Sequence, residues 1–289
     1  MNPRANAMTG QHALMDSLDF SLRSLRKRWP GPWPGLTLVF DRCLQRLGRA
    51  SEGLPARLQA LTDAAHAIAA EIERDGLARM KKGLEPQYHN RLHIADTLVS
   101  MTHLLLAQRL AAPAVPVQPV GDYLGLIIML GHDFLHSGEV NRFPGDLESR
   151  AVAQLQPILK RHGVTARDCE TIGHCILKTD PSGVRQSHEL VVGRPFVADD
   201  RDCLVVLVTE ADILASTLPA TAQRQTERLA HEWSLLNLPA AKTLLQPASR
   251  VYFLEKAALF SSPAAELLGI NGFKQAELQQ LHQELAPIA

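Results

Sequence analysis

Apolar residues at helical spacing run through almost the whole chain, and this periodicity constrains the fold more than any other feature. Early in the chain Leu14, Leu18, Leu22 and Leu25 follow one another at intervals of three or four residues. Such spacing places apolar side chains on one face of a helix. No segment sustains the alternation of apolar and polar residues that a half-buried strand requires. The sequence therefore predicts an all-α fold, a compact bundle of many helices.

Glycine- and proline-containing segments divide the predicted helices, most clearly at residues 30–35 and 111–121. Residues 184–199 are predicted to form a polar connection. A strand stays open as an alternative for the β-branched run at 204–208, although the apolar spacing beyond it favours a buried helix. The predicted helices cover residues 11–29, 39–47, 54–82, 88–110, 122–136, 146–162, 166–178, 200–216, 220–236, 247–268 and 274–285.

Composition narrows the classes of function. The 30 basic residues balance 30 acidic ones in a chain of 289 residues, so no basic excess exists to bind nucleic acid or an anionic membrane. The four cysteines form no CxxC pair, which predicts free thiols in a reducing compartment. Residues 1–9 lack the apolar core of a signal peptide, and the apolar run at 124–130 is too short to span a bilayer. We expect a cytoplasmic protein without nucleic-acid or membrane partners.

An apolar run ends in an adjacent histidine and aspartate, His132 and Asp133, which marks the strongest candidate site. Burying a carboxylate is costly unless it is paired or bound to a cation. Asp212 lies on a strongly apolar predicted helix, where an unpaired carboxylate would be equally costly to bury. Because neighbouring residues on a helix point in different directions, a metal shared by His132 and Asp133 has to lie at a helix end, against another helix.

A pair of histidines on the preceding predicted helix can supply further ligands. His89 and His93 are four residues apart and so share one helix face, which Asp96 extends. The combination of His93 with His132, Asp133 and a later carboxylate offers nitrogen and oxygen ligands. Such a mixed set suits zinc, iron, manganese or magnesium. The residues alone therefore predict a metal centre.

Two motifs resemble those of the HD superfamily, and within it the catalytic domain of class I cyclic-nucleotide phosphodiesterases. Residues 88–96, YHNRLHIAD, look like that family's YHNxxHAxD signature. Residues 132–143, HDFLHSGEVNRF, are similar to its HDxxHPGxxNxF signature, with Ser137 in place of the usual proline. Together the two motifs are highly specific, and the resemblance extends in order over about residues 84–260. It implies an all-α metal-dependent phosphohydrolase.

Three shorter segments follow in the order that the family has them. Residues 147–148 look like the start of the family's LExHH segment, although Ser149 and Arg150 replace its two histidines. Residues 177–180 resemble its ATD segment, and residues 211–212 its final metal-binding aspartate. The layout implied is a catalytic domain over 84–289, with N-terminal helices in 1–83 packed on it as part of one globular unit.

The resemblance implies a two-metal mechanism. A first ion, zinc, iron or manganese, would be held tightly, and a second, magnesium or manganese, would be bound mostly through waters. A metal-bound hydroxide would attack phosphorus in line, with protonated His89 as the general acid. That histidine needs a nearby carboxylate to stay charged, which the sequence does not identify. The implied ligands of the first ion are His93, His132, Asp133 and Asp212, and the residues implied to hold the waters of the second are His136, Glu148 and Thr179.

The same alignment places Tyr88, Asn141, Arg250 and Phe253 at the substrate site. The family reads a purine with a glutamine and a phenylalanine three residues apart, where this chain has Arg250 and Phe253. A guanidinium only donates hydrogen bonds and cannot replace an amide. Ala215 stands where the family often has an asparagine near the base.

The function expected is hydrolysis of a 3′,5′-cyclic nucleotide, cyclic AMP or cyclic GMP, to the 5′-monophosphate. Two alternatives stay open. One is an HD-type phosphohydrolase for another nucleotide or phosphoester, in which Arg250 reads an extra anionic group. The other is a catalytically silent HD-fold sensor. The sequence leaves metal identity, nucleobase and oligomeric state open.

Overall fold

The computed structural model describes residues 3–50, 52–115 and 118–286. Over these residues the chain forms fourteen α-helices and one π-helical turn and no strand, so the predicted all-α fold is confirmed. The helices are α1 (Pro3–Arg28), α2 (Leu36–Arg46), α3 (Ala56–Lys81), α4 (Arg91–Ala111), α5 (Pro119–Gly131), α6 (Asp146–Arg161), α7 (Ala166–Leu177), α8 (Val184–Glu189), α9 (Arg201–Thr217), α10 (Ala222–Ser234), α11 (Leu238–Leu244), α12 (Pro247–Tyr252), the π-helical turn (Phe253–Ala257), α13 (Pro263–Leu267) and α14 (Ile270–Leu285).

Helix α4 is the centre of the bundle. It packs against α1, α2, α5, α9 and α13, and all but four of its residues are buried. Helix α5 is buried from Gly121 to Gly131 between α3, α4 and α9. Burial on all sides requires apolar side chains around the whole helix, which the run at 124–130 supplies. The N-terminal helices thus pack directly on the two helices that lead into the candidate site.

Side-chain caps set the start of the two central helices. Asn90 caps α4 by accepting hydrogen bonds from the backbone N–H groups of Leu92 and His93. Asp200 caps α9 in the same way, with the N–H groups of Asp202 and Cys203 as donors. Both caps satisfy donors that a helix start leaves unpaired. Helix α4 consequently begins at Arg91 rather than at the predicted residue 88.

Two further boundaries differ from the predicted ones. Helix α5 ends at Gly131, whereas the sequence predicts a helix through residue 136. The predicted helix 247–268 is broken into α12, the π-helical turn and α13. Pro263 contributes to the second break, because proline lacks the backbone N–H that a helix interior uses and is favoured in the first turn of a helix. Ser262 caps the new helix by accepting from the N–H of Ala265.

Two short helices fall in segments that the sequence analysis leaves as connections. Helix α8 lies within the predicted polar connection 184–199, and α11 follows the end of α10. A helix of six or seven residues spans fewer than two turns, so its apolar periodicity is too brief to detect. The helix predicted at 200–216 is confirmed as α9, and the strand alternative for 204–208 is wrong.

All four cysteines are free thiols, as predicted. Burial raises the pKa of the Cys43 thiol to about 11 and that of Cys175 to about 12, so both are inert at neutral pH. In the described part of the chain no single helix has the length and apolarity to cross a bilayer. Only α9 and α10 taken together, bent by 97°, do so by length and composition.

Candidate metal centre

Three parts of the fold bring two histidines and two aspartates to one point. The imidazole Nε2 atoms of His93, on α4, and His132, after α5, are 3.2 Å apart. The Nε2 of His93 lies 3.3 Å from an oxygen of Asp133 and 3.1 Å from one of Asp212, on α9. The Nε2 of His132 lies 3.4 Å from the same two oxygens. The four residues that the sequence predicts as ligands are thus brought together.

The turn after α5 aims His132 and Asp133 at this point. His132 still donates its backbone N–H to the carbonyl of Ile128, and the chain turns after it, so that His132 and Asp133 both reach the Nε2 of His93. Leu135 completes the turn in the left-handed region, with a φ of 55°, which is unusual for a residue with a side chain. Arg79 of α3 holds the turn by donating to the carbonyl oxygens of Leu135 and His136, at 3.4 and 3.1 Å.

The chemistry of this cluster fits a divalent cation. His132 donates from Nδ1 to the carbonyl of Met129 at 2.9 Å, which directs Nε2 at the cluster, where a metal ion can take the place of its proton. Burial opposes protonation of His93, but hydrogen bonds and charge from Asp133 and Asp212 outweigh it and raise the pKa of His93 to about 10. The pKa values of both carboxyls are lowered despite burial, chiefly by the charge of His132.

Ligand atoms of three of these residues, His93, His132 and Asp133, lie within 4.8 Å of one another. The two carboxylates have no lysine or arginine among their described contacts, and the groups that lie against them are the two imidazoles. A divalent metal ion satisfies all four groups at once.

His89 lies beside the cluster and is paired with a carboxylate that the sequence did not identify. Its ring centroid is 5.9 Å from that of His93, and its Nδ1 lies 2.5 Å from an oxygen of Glu232 on α10. The other oxygen of Glu232 accepts from the backbone N–H groups of Tyr88 and His89, at 2.8 and 3.0 Å. Burial opposes ionisation of Glu232, but the bond from His89 keeps its pKa below the usual range. No local motif marks Glu232, which is separated from His89 by 143 residues.

Two of the residues predicted to hold the waters of a second metal, His136 and Glu148, lie near Asp133. The ring of His136 stacks on that of His89 at 4.0 Å, and burial together with that neighbour lowers its pKa to about 4. Burial raises the pKa of Glu148, as do the nearby charges of Asp180 and Asp133. A carboxyl with two acidic neighbours is a natural recipient for a second cation.

Two predicted site residues are engaged by the protein itself. The hydroxyl of Thr179 donates to the carbonyl of Ile176 at 2.8 Å. The amide nitrogen of Asn141 lies 3.0 and 3.3 Å from the two oxygens of Glu148, while its oxygen accepts from the N–H of Leu147 at 2.7 Å. Asn141 therefore positions Glu148 in this structure.

Structural comparison relates the chain to phosphodiesterase domains over most of its length. LmjPDEB1 in complex with IBMX matches with a TM-score of 0.68 and 14% sequence identity, over 99% of this chain and 98% of that one. The phosphodiesterase domain of the RhoPDE fusion protein from the choanoflagellate Salpingoeca rosetta matches with a TM-score of 0.62 and 17% identity, over 86% and 90%. This chain has the phosphodiesterase-domain fold.

A second structure of the Salpingoeca rosetta rhodopsin phosphodiesterase domain gives a TM-score of 0.61 at 17% identity, over 86% of this chain and 87% of that one. No family model and no curated protein matches the sequence. The fold implied by the motifs of residues 88–96 and 132–143 is therefore confirmed by structure.

Beside the metal-ligand cluster, Tyr88 and Arg250 each form a hydrogen bond with Ser216, near the end of α9. The Tyr88 ring lies 4.9 Å from that of His93, and its hydroxyl is 2.9 Å from that of Ser216. Arg250 of α12 donates to the carbonyl of Ser216 at 2.8 Å. Its guanidinium lies 5.2 Å from the ring centroid of Phe253, which is partly buried against the core. These residues form one side wall of the site.

Arg250 is paired with Glu277, a partner that the sequence did not identify. Its Nε and one terminal nitrogen donate to the two oxygens of Glu277, on α14, at 2.7 and 2.8 Å. With the bond to Ser216, three of its five N–H groups are used. The positive charge of Arg250 is thus largely neutralised within the protein.

Asp96, which shares the histidine face in the sequence, does not join the cluster. It is fully buried and accepts from Arg26 of α1 at 3.0 and 2.7 Å, and from Gln225 at 3.3 Å. A buried carboxylate bonded in two places to a guanidinium is well satisfied. Asp96 therefore anchors α1 to the helix that carries His93.

Proposed function

We propose that this chain is a metal-dependent phosphodiesterase that hydrolyses a 3′,5′-cyclic nucleotide to the 5′-monophosphate. The observation that carries the proposal is the convergence of His93, His132, Asp133 and Asp212 at one buried point beside a histidine, His89, that is paired with a carboxylate. The phosphodiesterase-domain fold supports the same class of reaction.

The cluster would hold a first metal ion, zinc, iron or manganese, through its two imidazoles and two carboxylates. Asp133 would also face a second ion, magnesium or manganese, on the side of His136 and Glu148, with Thr179 nearby. Two such cations clamp phosphoryl oxygens and lower the pKa of water so that it is nucleophilic at neutral pH. The four residues of the cluster and His89 would together fix the phosphoryl group between them.

His89 would donate a proton from Nε2 to the departing ester oxygen. Its Nδ1 is engaged by Glu232, which fixes the ring orientation and leaves Nε2 to face the substrate. A proton donor positioned in this way contributes typically about 10²- to 10⁴-fold to the rate. Tyr88 lies against His93 and limits the space in which the leaving group can lie.

The nucleoside would lie along the wall formed by Tyr88, Ser216, Arg250 and Phe253. Phe253 offers a ring face, and Arg250 has two N–H groups left to donate. Because Glu277 neutralises Arg250, the wall offers little attraction to a second anionic group. This favours a cyclic nucleotide over a phosphoester that carries an additional charge.

Phosphorus NMR of the purified protein tests the proposal directly. Cyclic AMP, cyclic GMP and bis-p-nitrophenyl phosphate are each incubated with manganese or magnesium, with and without chelator. We expect conversion of a cyclic nucleotide to the 5′-monophosphate that the chelator stops. Hydrolysis of the artificial diester alone would mean that the metal centre works on another phosphoester, and no metal-dependent turnover of any substrate would favour a silent sensor.

A matched pair of variants on α9 separates the centre from general damage. Asp212→Asn removes a proposed ligand, and Asp202→Asn changes a partly exposed carboxylate in the first turn of the same helix. We expect the first variant to lose turnover and bound metal, while the second keeps both. Equal behaviour of the two variants would contradict the assignment of Asp212.

A further inference from the structure

A second cavity lies at the junction of α1, α2 and α4, separate from the metal centre. Its volume is about 470 Å³, within the roughly 300–1,000 Å³ of sites for drug-sized ligands. Thr102, in its wall, follows His93 by nine residues along α4, which is about 14 Å at 1.5 Å per residue. We call this space the α1–α2–α4 cavity.

The floor of the α1–α2–α4 cavity is apolar and uncharged. Leu25, Val39, Cys43 and Val99 contribute buried apolar surface from all three helices. His103 lies at the back, where its Nδ1 donates to a backbone carbonyl at 2.7 Å and burial lowers its pKa to about 4. The ring is therefore neutral at physiological pH. An apolar group placed on this floor would be removed from water.

The mouth of the cavity is positively charged. Arg28 of α1 and both Arg42 and Arg46 of α2 line it, and all three residues are exposed. Among the described residues, no acidic side chain lines the cavity. None of the three forms a salt bridge with a described residue; Arg46 donates only to the hydroxyl of Ser17. Most other arginines in the structure have a carboxylate partner.

Three guanidinium groups without counter-charge at one opening repel one another, and an anion placed between them relieves the repulsion. Guanidinium groups bind carboxylate and phosphate in a bidentate geometry. Phe20 lies at the same opening with 72% of its surface exposed, and covering it would remove further apolar surface from water. The three arginines and the exposed apolar surface thus both favour an anion that has an apolar part.

We propose that the α1–α2–α4 cavity binds a small organic anion with an apolar body. Its carboxylate or phosphate would lie between Arg28, Arg42 and Arg46, and its body would lie on the floor formed by Leu25 and Val99. The site depends on neither the metal ions nor the proposed hydrolysis.

Calorimetric titration of the full chain with defined probes tests this. Octanoate and octyl phosphate carry both features, octyl glucoside lacks the charge, and inorganic phosphate lacks the apolar body. We expect saturable one-to-one binding of at least one of the two anionic probes, and the comparison between them distinguishes a carboxylate ligand from a phosphate ligand. Binding must persist with chelator, since an anion held by the metal centre would be lost there.

Variants locate the binding. Arg42→Gln combined with Arg46→Gln should weaken it by roughly tenfold or more, and Ser24→Trp, which fills the cavity from α1, should abolish it. Arg23→Gln on the same helix is the matched control, because Arg23 pairs with Asp19 and does not line the cavity. The melting temperature of each unliganded variant shows that the fold is intact.

Three results would overturn the proposal. They are the absence of saturable binding of either anionic probe at millimolar concentration, binding that the cavity variants leave unchanged, and binding of octyl glucoside or inorganic phosphate as tight as that of the amphipathic anions.

Discussion

The pairing of Glu232 with His89 gives the sharpest test of the proposed acid. Glu232→Gln keeps the shape of the side chain, and its amide oxygen can still accept from the N–H groups of Tyr88 and His89. The substitution removes the negative charge from a side chain that is only 3% exposed. One oxygen of that side chain lies 2.5 Å from the Nδ1 of His89. Hydrogen bonds to charged groups are worth about 1.5–3 kcal/mol. If Glu232 supports proton donation by His89 with that free energy, its loss lowers kcat about 10- to 150-fold.

The leaving group decides whether the loss concerns proton donation. A cyclic nucleotide expels an alkoxide and needs the proton, whereas bis-p-nitrophenyl phosphate expels an acidic phenol and scarcely needs it. We therefore expect the full loss of kcat in steady-state assays with the cyclic nucleotide and a loss of less than about threefold with the aryl diester. Bound metal, measured by mass spectrometry, should not change.

Glu227→Gln is the matched control for this experiment, since Glu227 is exposed on the same helix and interacts only with Gln223 among its described contacts. It should leave both rates unchanged. Equal slowing of both substrates by Glu232→Gln, with metal retained, would show that Glu232 does not act through the acid. An unchanged rate with the cyclic nucleotide would refute the pairing argument altogether.

Three further predictions concern the metal, the pH dependence of stability and the wall of the site. Asp133→Ala should abolish both bound metal and turnover, and an active, metal-replete variant would contradict the two-metal assignment. Burial raises the pKa of Glu210 from 4.5 to about 7, so its contribution to folding is complete below about pH 4.5 and is lost as the pH rises through 7. Urea unfolding should show a loss of about 3 kcal/mol over that range, which Glu210→Gln removes. Glu277→Gln should lower the unfolding free energy by about 1–3 kcal/mol, because Arg250 loses its bidentate partner; Glu284→Gln, in an exposed position on the same helix, should not.

The helices that carry the site could be predicted from local patterns. The spacing of apolar residues in α9 is helical, and the apolar run before His132 is long enough to be recognised as buried. These signals lie within a few residues of the features that they determine. The resemblance of two short motifs to a known family then indicated which histidines and aspartates would converge, and the structure brings them together.

The break between the π-helical turn and α13 shows where local patterns are insufficient. Leu254, Ala258 and Ala265 continue the helical apolar spacing through the segment, at intervals of four and seven residues, and all three are buried. The structure interrupts the helix before Pro263, where the buried carboxylate of Glu210 accepts from the N–H groups of Ser261 and Ser262 at 2.7 and 2.8 Å. A partner 51 residues away supplies the bonds that the broken helix loses.

The sequence by itself determined the helical class and the residue types gathered at the centre, because apolar periodicity acts over one or two turns. Only the tertiary structure decided that Glu232 pairs with His89 and that Glu277 neutralises Arg250. The same holds for Asp96, which pairs with Arg26 of α1. Each of these pairings joins residues far apart in the chain. Such contacts depend on how the helices pack, and no short segment of sequence contains that information.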